Sequence, residues 1–313
     1  MAMVKPAIFF LIGPTASGKT KLAVDLVNTF PFEIISVDSA QIYQDMNIGV
    51  AKPSQEILNV APHHLINIIK PDEAYSVAQF LQDTLKLVDA ILMRGHIPLL
   101  VGGTMMYFNA LEKGINLMPK TDSQIRKDIE QEANQFGWPK LYEKLEAVDK
   151  KTAKKLNPND AQRISRALEV FYVSGKPLSD FHTSKNKNTF PYTVCKLGLM
   201  PSNRKILHQR IELRVNEMVE AGLFNEVKQL CKKYPNLRGH MPSMRSVGYR
   251  QVLEYFNGDF QEQECIDRIV FATRQLAKRQ MTWMRSMEKL NVFDCVNDDL
   301  NKNVIAFIKE VLL

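Results

Sequence analysis

The octapeptide GPTASGKT, Gly13 to Thr20, stands between the apolar run AIFFLI and the amphipathic KLAVDLVNTF, and this setting leaves few folds open. Gly13 and Gly18 permit backbone conformations that point successive N–H groups inward. An oxyanion can then be held by amides, a helix N-terminus and the Lys19 ammonium together. A strand before the pattern G-x-x-x-x-G-K-[ST] and a helix after it give the match a physical meaning. On this reading Gly13, Pro14, Thr15, Ala16, Ser17, Gly18, Lys19 and Thr20 form a loop that binds a diphosphate or a triphosphate, and the Thr20 hydroxyl is the expected ligand of a Mg²⁺ ion. A dinucleotide fingerprint would require glycine where Thr15 stands.

Strand-like runs alternate with helical periodicity along the first third. AIFFLI is followed by a helix from Gly18 to about Asn28, then by EIISVD; Ser76 opens a long amphipathic helix ending near Gly95, and IPLLVGGT supplies a further buried strand. That order predicts an α/β fold, a P-loop NTPase-like parallel sheet flanked by helices. TVCKLGL, near residue 193, reads as another strand. Between them, from about Leu117 to Phe190, the pattern is helical and bounded by Pro119 and Pro191, which predicts an inserted all-helical subdomain. The expected division is a core of residues 1–117 and 191–313 with an insertion of 118–190. Thr121 with Gln124 reads as a capping box, and NPND at 157–160 opens a helix striped by Ile164, Ala167, Leu168 and Phe171. Arg163 and Arg166 fall off that stripe, and GKPLSDFHTSKNKNTFP reads as a polar loop. The chain beyond Ser202 is expected to be mostly helical. In its segment 265–287, Ile269, Ala272, Leu276, Trp283 and Met287 fall on one side and Arg274, Lys278 and Arg285 on the other. That basic side is either a solvated face or a surface for a polyanion.

Lys and Arg number 41 against 34 Asp and Glu, a net charge of +7 that fits a polyanionic partner without requiring one. Cys195, Cys231, Cys265 and Cys295 stand far apart, so neither a disulfide framework nor a zinc site is expected, and a reducing compartment is. His63 and His64 are expected to belong to a turn. The opening MAMVKPAIFFLIGP is too short in its apolar run for a secretory leader, and no run approaches the ~20 apolar residues that span a bilayer. A nucleotide hydrolase of this class would carry an acid at the end of a hydrophobic strand. IPLLV instead ends in Gly102, Gly103 and Thr104, and the candidate acid is Asp38, at the end of EIISVD. A carboxylate there, beside the phosphate loop, is placed for acid–base chemistry on something other than a nucleotide phosphate.

GPTASGKT, SVDSAQIYQDMNIGVAKP, PHHLIN, PLLVGGTMMYF, NDAQRISRALEV, HQRIELRV, MRSVGYRQ and ATRQLAKRQMTWMR, in this order, resemble the tRNA dimethylallyltransferase (tRNA isopentenyltransferase) family over essentially the whole chain. The resemblance implies transfer of the dimethylallyl group from dimethylallyl diphosphate to N6 of adenine 37, next to the anticodon, in tRNAs reading codons that begin with U. It implies catalytic roles for Asp38 as general base and for Thr15, Lys19 and Arg214 around the diphosphate, with Mg²⁺ as cofactor. It also implies a tRNA anticodon stem-loop held by Asp38, Ser39, Ala40, Gln41, Thr104, Arg126, Gln162, Arg163, Ile164, Ser165 and Arg166, and by Arg245, Ser246, Val247, Gly248, Tyr249 and Arg250. Arg274, Lys278 and Arg285 join this set once RNA is the partner. The expected enzyme is a cytoplasmic monomer with no membrane association and no added C-terminal zinc module. An adenylate dimethylallyltransferase, a P-loop small-molecule kinase and a phosphate-loop RNA-binding module without transfer activity are the competing readings.

Overall fold

In the computed structural model, which describes residues 7–116, 118, 119, 122–181 and 190–313, the apolar runs become strands. β1 (Ala7–Ile12), β2 (Phe32–Val37), β3 (His63–His64), β4 (Ile97–Gly102), β5 (Thr193–Met200) and β6 (Leu290–Asp294) form one sheet in the order β3-β2-β4-β1-β5-β6. Every pairing is parallel. Parallel strands are joined by crossovers that cover both faces, which is why AIFFLI is apolar throughout and Ile8 to Ile12 are wholly buried. Phe9, Leu11, Ile34 and Leu99 pack against Leu22 and Leu26 of the Lys19–Thr29 helix and Val304 and Ile308 of the Leu300–Leu312 helix. On the other face Phe10 meets Phe108 at 5.0 Å between ring centroids, and Phe80 stacks on Tyr107 at 4.1 Å.

Register fixes what lies at the carboxyl edge. Val37 pairs with Gly102, Gly102 with Ile12, and Ile12 with Gly198, so β2, β4 and β1 end level. Gly102 is required by this closeness: a Cβ there would lie 2.0 Å from the Val37 carbonyl oxygen.

The chain divides into two compact units, Met1–Ala110 with Pro191–Leu313, and Leu111–Phe190. The second is helical, with Leu141, Leu145, Ile164, Ala167 and Leu168 in its core and Phe171 only half-buried. Within the first, Ile42, Tyr43 and Met46 from the segment after β2 join Val215, Leu223, Val227, Tyr249, Val252 and Ile269 in a second apolar cluster.

Several expectations change. His63 and His64 form the edge strand β3, where His64 bonds Glu33 at 3.1 Å, because their backbone pairs with Ile34 and Ile35. β6 interrupts what reads as a helical C-terminal region. The loop after Gly175 contains a short helix, Leu178–Phe181; its residues 182–189, like Thr121 and Leu117, lie outside the described residues. The cap of the Ser123–Phe136 helix is Asp122, which accepts from the Gln124 and Ile125 amides at 2.8 and 3.2 Å. Ser76 does form a capping box with Gln79. In the Glu262–Arg285 helix the packed face is Cys265, Ile269, Val270, Ala277, Gln280, Met281 and Met284. Relative to the expected face this is a rotation of about a quarter turn at ~100° per residue. Trp283 is 44% exposed, and Arg274 comes to the flank of the packed face rather than opposite it.

Gly102→Ala is expected to lower unfolding free energy by about 1–3 kcal/mol or to abolish folding, since the strand must move to admit the methyl group. Urea unfolding against wild type checks this.

Candidate active site at the carboxyl ends of the strands

The level ends of three strands place Gly13, Gly103 and Asp38 one residue beyond a common row. With neighbouring strands ~4.8 Å apart, Asp38 and Gly13 stand about 10 Å apart across β4. β1 is also where crossover direction changes, with β2 on one side and β5 on the other, the place where open α/β sheets hold ligands.

Gly13, Pro14 and Ser17 are buried; Thr15, Ala16, Lys19 and Thr20 are half-buried; Gly18 is exposed. Gly18 at φ 83° precedes the Lys19–Thr29 helix, and Ala16 takes φ 61°, a left-handed conformation unusual for alanine. Lys19 Nζ donates to the Gly13 and Pro14 carbonyls at 2.9 and 2.7 Å. Arg214, from the Arg204–Glu220 helix, reaches the Thr15 hydroxyl at 3.5 Å. Burial, and then the Arg214 charge, push the Lys19 ammonium down to about 8, with Asp38 and Cys295 opposing. Burial also lowers Arg214, against Asp38 and Glu217. Two cations and one carboxylate therefore sense one another in a poorly solvated corner.

Asp38 closes a turn: its Oδ1 accepts from the Ala40 and Gln41 amides at 2.9 and 3.3 Å. Both bonds fall on Oδ1, which leaves Oδ2 to take a proton. Thr104 holds the same turn, its Oγ1 accepting from the Ser39 amide at 3.0 Å and donating to Ser39 Oγ at 3.3 Å. The Gln41 side chain is directed inward, to the Val50 and Ala51 carbonyls at 3.4 and 3.3 Å.

Gln280 was not among the expected site residues. Its Oε1 accepts from the Thr15 amide at 2.9 Å and its Nε2 donates to the Gly103 carbonyl at 2.9 Å, so one buried amide joins the phosphate loop to the end of β4. A Cβ at Gly103 would lie 2.4 Å from Gln280 Nε2. The signal that could have found it is a glutamine between Ala277 and Met281 on a stripe of apolar residues, visible only with the helix in its true rotation.

Other expected contacts are placed differently. Ile164 is wholly buried in the helical unit, so it serves packing and offers no side chain to a ligand. Arg126 pairs with Glu169 at 2.7 Å, and Arg166 bonds Glu169 at 3.3 Å and the Pro119 carbonyl at 3.0 Å; Arg166 is therefore not a detached basic side chain. Arg163 is 71% exposed with a long pairing to Asp160 at 3.6 Å; Gln162 is exposed and Ser165 half-buried. Tyr249 is wholly buried, its hydroxyl bonding Glu226 at 2.5 Å, and Gly248 is buried beside it. Arg245 and Arg250 are exposed, and Ser246 and Val247 half-buried. Arg274 pairs with Glu212 at 2.7 Å, whereas Lys278 and Arg285 are exposed. Among the described residues no group of three His, Cys, Asp or Glu forms a metal cage, and no helix is long and apolar enough to cross a membrane.

Fold and site define a phosphate-loop α/β protein with its acid two strands from the anion cradle. The IPP transferase family model matches residues 41–287, and the Isopentenyl transferase model matches residues 6–73. The tRNA dimethylallyltransferase of Methylobacillus flagellatus is 51% identical over 300 residues, 96% of this chain and 95% of that protein. That of Legionella pneumophila (strain Lens) is 51% identical over 305 residues, 97% of each chain. The solved full-length tRNA isopentenylpyrophosphate transferase of Bacillus halodurans matches with TM-score 0.71 and 35% identity over 98% of this chain and 96% of that one. A eukaryotic dimethylallyltransferase acting on tRNA matches with TM-score 0.81 and 27% identity over 98% of this chain and 79% of that one. The chain belongs to the IPP transferase family, that of the tRNA dimethylallyltransferases, which are prenyl transferases.

Lys19 gives the site a pH dependence with two opposite signs. Its folded value near 8 lies below the ordinary 10.5, so above pH 8 the unfolded chain holds the extra proton and stability rises with pH up to the ordinary value. Binding of an anion requires the charged form, so affinity falls over that same window. A saturated monoalkyl diphosphate, titrated calorimetrically from pH 7 to 9.5, is expected to bind more weakly as pH rises past about 8. Lys19→Ala should bind weakly throughout and lack this slope.

Proposed function

We propose that this chain transfers the dimethylallyl group of dimethylallyl diphosphate to N6 of adenine 37 in tRNAs reading codons that begin with U. The observation that carries the reading is the placement of Asp38 across β4 from the phosphate loop. About 10 Å between the two leaves room for an allylic carbon and a purine edge between base and leaving group.

Cleavage of the allylic C–O bond builds negative charge on the diphosphate. Donors already fixed around it, the loop amides, Lys19, Arg214 and Thr15, lower the barrier, each typically by ~3 kcal/mol. The Arg214 fork suits two phosphate oxygens at once. Asp38 Oδ2 takes the N6 proton as the amine attacks carbon; the electron pair of the C–O bond leaves with the diphosphate. Adenine must be unstacked from the anticodon loop to reach this edge.

The donor set fits Mg²⁺. Thr20 offers a hard oxygen, and with no cage of three or more acids among the described residues the ion would be shared with substrate phosphates, its usual mode. Ser17 Oγ is buried with no hydrogen-bond partner among the described residues, as expected in a cradle that takes a polar ligand. Bound there, Mg²⁺ would neutralise diphosphate charge. The stem-loop is held by Ser39, Ala40 and Thr104 near the base, by Arg245 and Arg250, by Lys278 and Arg285, and by Arg126, Gln162, Arg163, Ser165 and Arg166 of the helical unit. We read the enzyme as a cytoplasmic monomer.

Incubation with Mg²⁺, labelled dimethylallyl diphosphate, ATP, AMP and unmodified tRNA tests the reaction, and label in tRNA is the expected result. Label in AMP alone would make the chain an adenylate prenyl transferase; movement of the γ-phosphate would make it a kinase. Asp38→Asn, which keeps an Oδ1 acceptor for the Ala40 and Gln41 amides, is expected to keep tRNA affinity within about twofold while lowering kcat by 10²-fold or more, on the order of the general-base contribution. Equal losses in both would remove the general-base role.

A further inference from the structure

Glu226, in the first turn of the Leu223–Lys233 helix, lies outside every stretch assigned above to phosphate or RNA, yet its carboxylate gathers an unusual set of partners. Oε2 accepts from the Asn47 and Ile48 amides, each at 2.8 Å, and Oε1 from the Gly49 amide at 3.2 Å and the Tyr249 hydroxyl at 2.5 Å. Three amide donors and a phenol converge on one group. Only an acceptor with about four lone-pair sites and no proton satisfies them, which a carboxylate supplies and an amide side chain does not. Successive backbone N–H groups of this kind make an anion nest, here filled by the protein's own side chain.

Each side of this junction leads to a stretch assigned above to RNA. On one side, the 47–51 loop carries the Val50 and Ala51 carbonyls that hold the Gln41 side chain, in the turn closed by Asp38. Lys52 ties the same loop to the Tyr43 carbonyl at 2.8 Å. On the other side, Tyr249 lies between Arg245 and Arg250, and its ring is pressed on Gly49, where a Cβ would meet it at 2.5 Å.

We propose that Glu226 is a positioning residue that staples the Asp38–Gln41 turn and the Arg245–Arg250 segment into one tRNA-binding arrangement. Tyr249 is then a strut of that arrangement rather than an RNA contact. The inference rests on the tRNA transfer reading.

The sign of the effect separates positioning from simple charge. Removing a negative charge should by itself tighten binding to a polyanion. Glu226→Gln should do the opposite, raising the KM for tRNA about tenfold through donors left unpaired, while the KM for dimethylallyl diphosphate stays within about twofold. Fluorescence anisotropy with labelled tRNA should show the same loss without turnover. An unchanged or tightened tRNA affinity overturns the proposal. So does a loss of kcat that merely follows the folded fraction by circular dichroism. Should Glu226→Gln fail to fold, Tyr249→Phe and Gly49→Ala decide: each must raise the tRNA KM with the diphosphate KM held, and a KM for tRNA equal to wild type overturns the staple. If wild type itself puts no label into tRNA, the functional reading has failed; if wild type does and these variants match it, only the staple has.

Discussion

Parallel hydrogen bonding of β2 and β1 to β4 brings Val37, Gly102 and Ile12 to one level, and the candidate chemistry depends on that alignment. A slip of one residue in either pairing would move Asp38 or Gly13 by ~3.3 Å along the strand and turn alternate side chains to the opposite face. Such a slip would turn Phe9 and Leu11, or Phe32 and Ile34, to the wrong packing layer, so burial of these residues enforces the register that the site needs. The requirement for glycine at position 102 follows from the same closeness. Core packing and site geometry are here a single constraint.

The phosphate loop is held from outside as well as by its own backbone. Thr15 is bound through its amide by Gln280 and through its hydroxyl by Arg214, residues that arrive on two different C-terminal helices. Gln280 also fixes Gly103, and the next residue, Thr104, fixes the turn of Asp38. Hydrogen bonds and the one peptide link between Gly103 and Thr104 thus connect the phosphate loop to the turn of Asp38. Preorganisation of this kind costs no reorientation at the moment the C–O bond breaks.

The sequence showed the parts whose signal is local. GPTASGKT, the apolar β1 and β4, and the Ser76 capping box are each written in a few contiguous residues, and the structure has them where they were expected. β6 escaped because LNVFD is a half-exposed edge strand with no continuous apolar run. The rotation of the Glu262–Arg285 helix escaped for a different reason. It carries Phe271 and Trp283 exposed and Gln280 buried, so hydrophobicity alone points the face the wrong way. Tyr249 and Ile164 show the same limit within motifs: a stretch assigned to a partner contains residues that hold the stretch in shape.

Net charge is a poor guide to the charge available to RNA, and the arginines of this chain show why. Arg126 and Arg166 both reach the nearly inaccessible Glu169, while Arg274 is paired with Glu212 and Lys233 with Asp45. A side chain already paired contributes to phosphate binding only the difference between two ion pairs, so it releases fewer counterions than an unpaired one. Glu169 can accept two guanidiniums because its own burial would otherwise be costly, and two cations on one carboxylate leave a local surplus of one positive charge in the helical unit. The field that a tRNA would meet therefore depends on such surpluses and on exposed cations such as Lys278 and Arg285, rather than on the +7 of the chain.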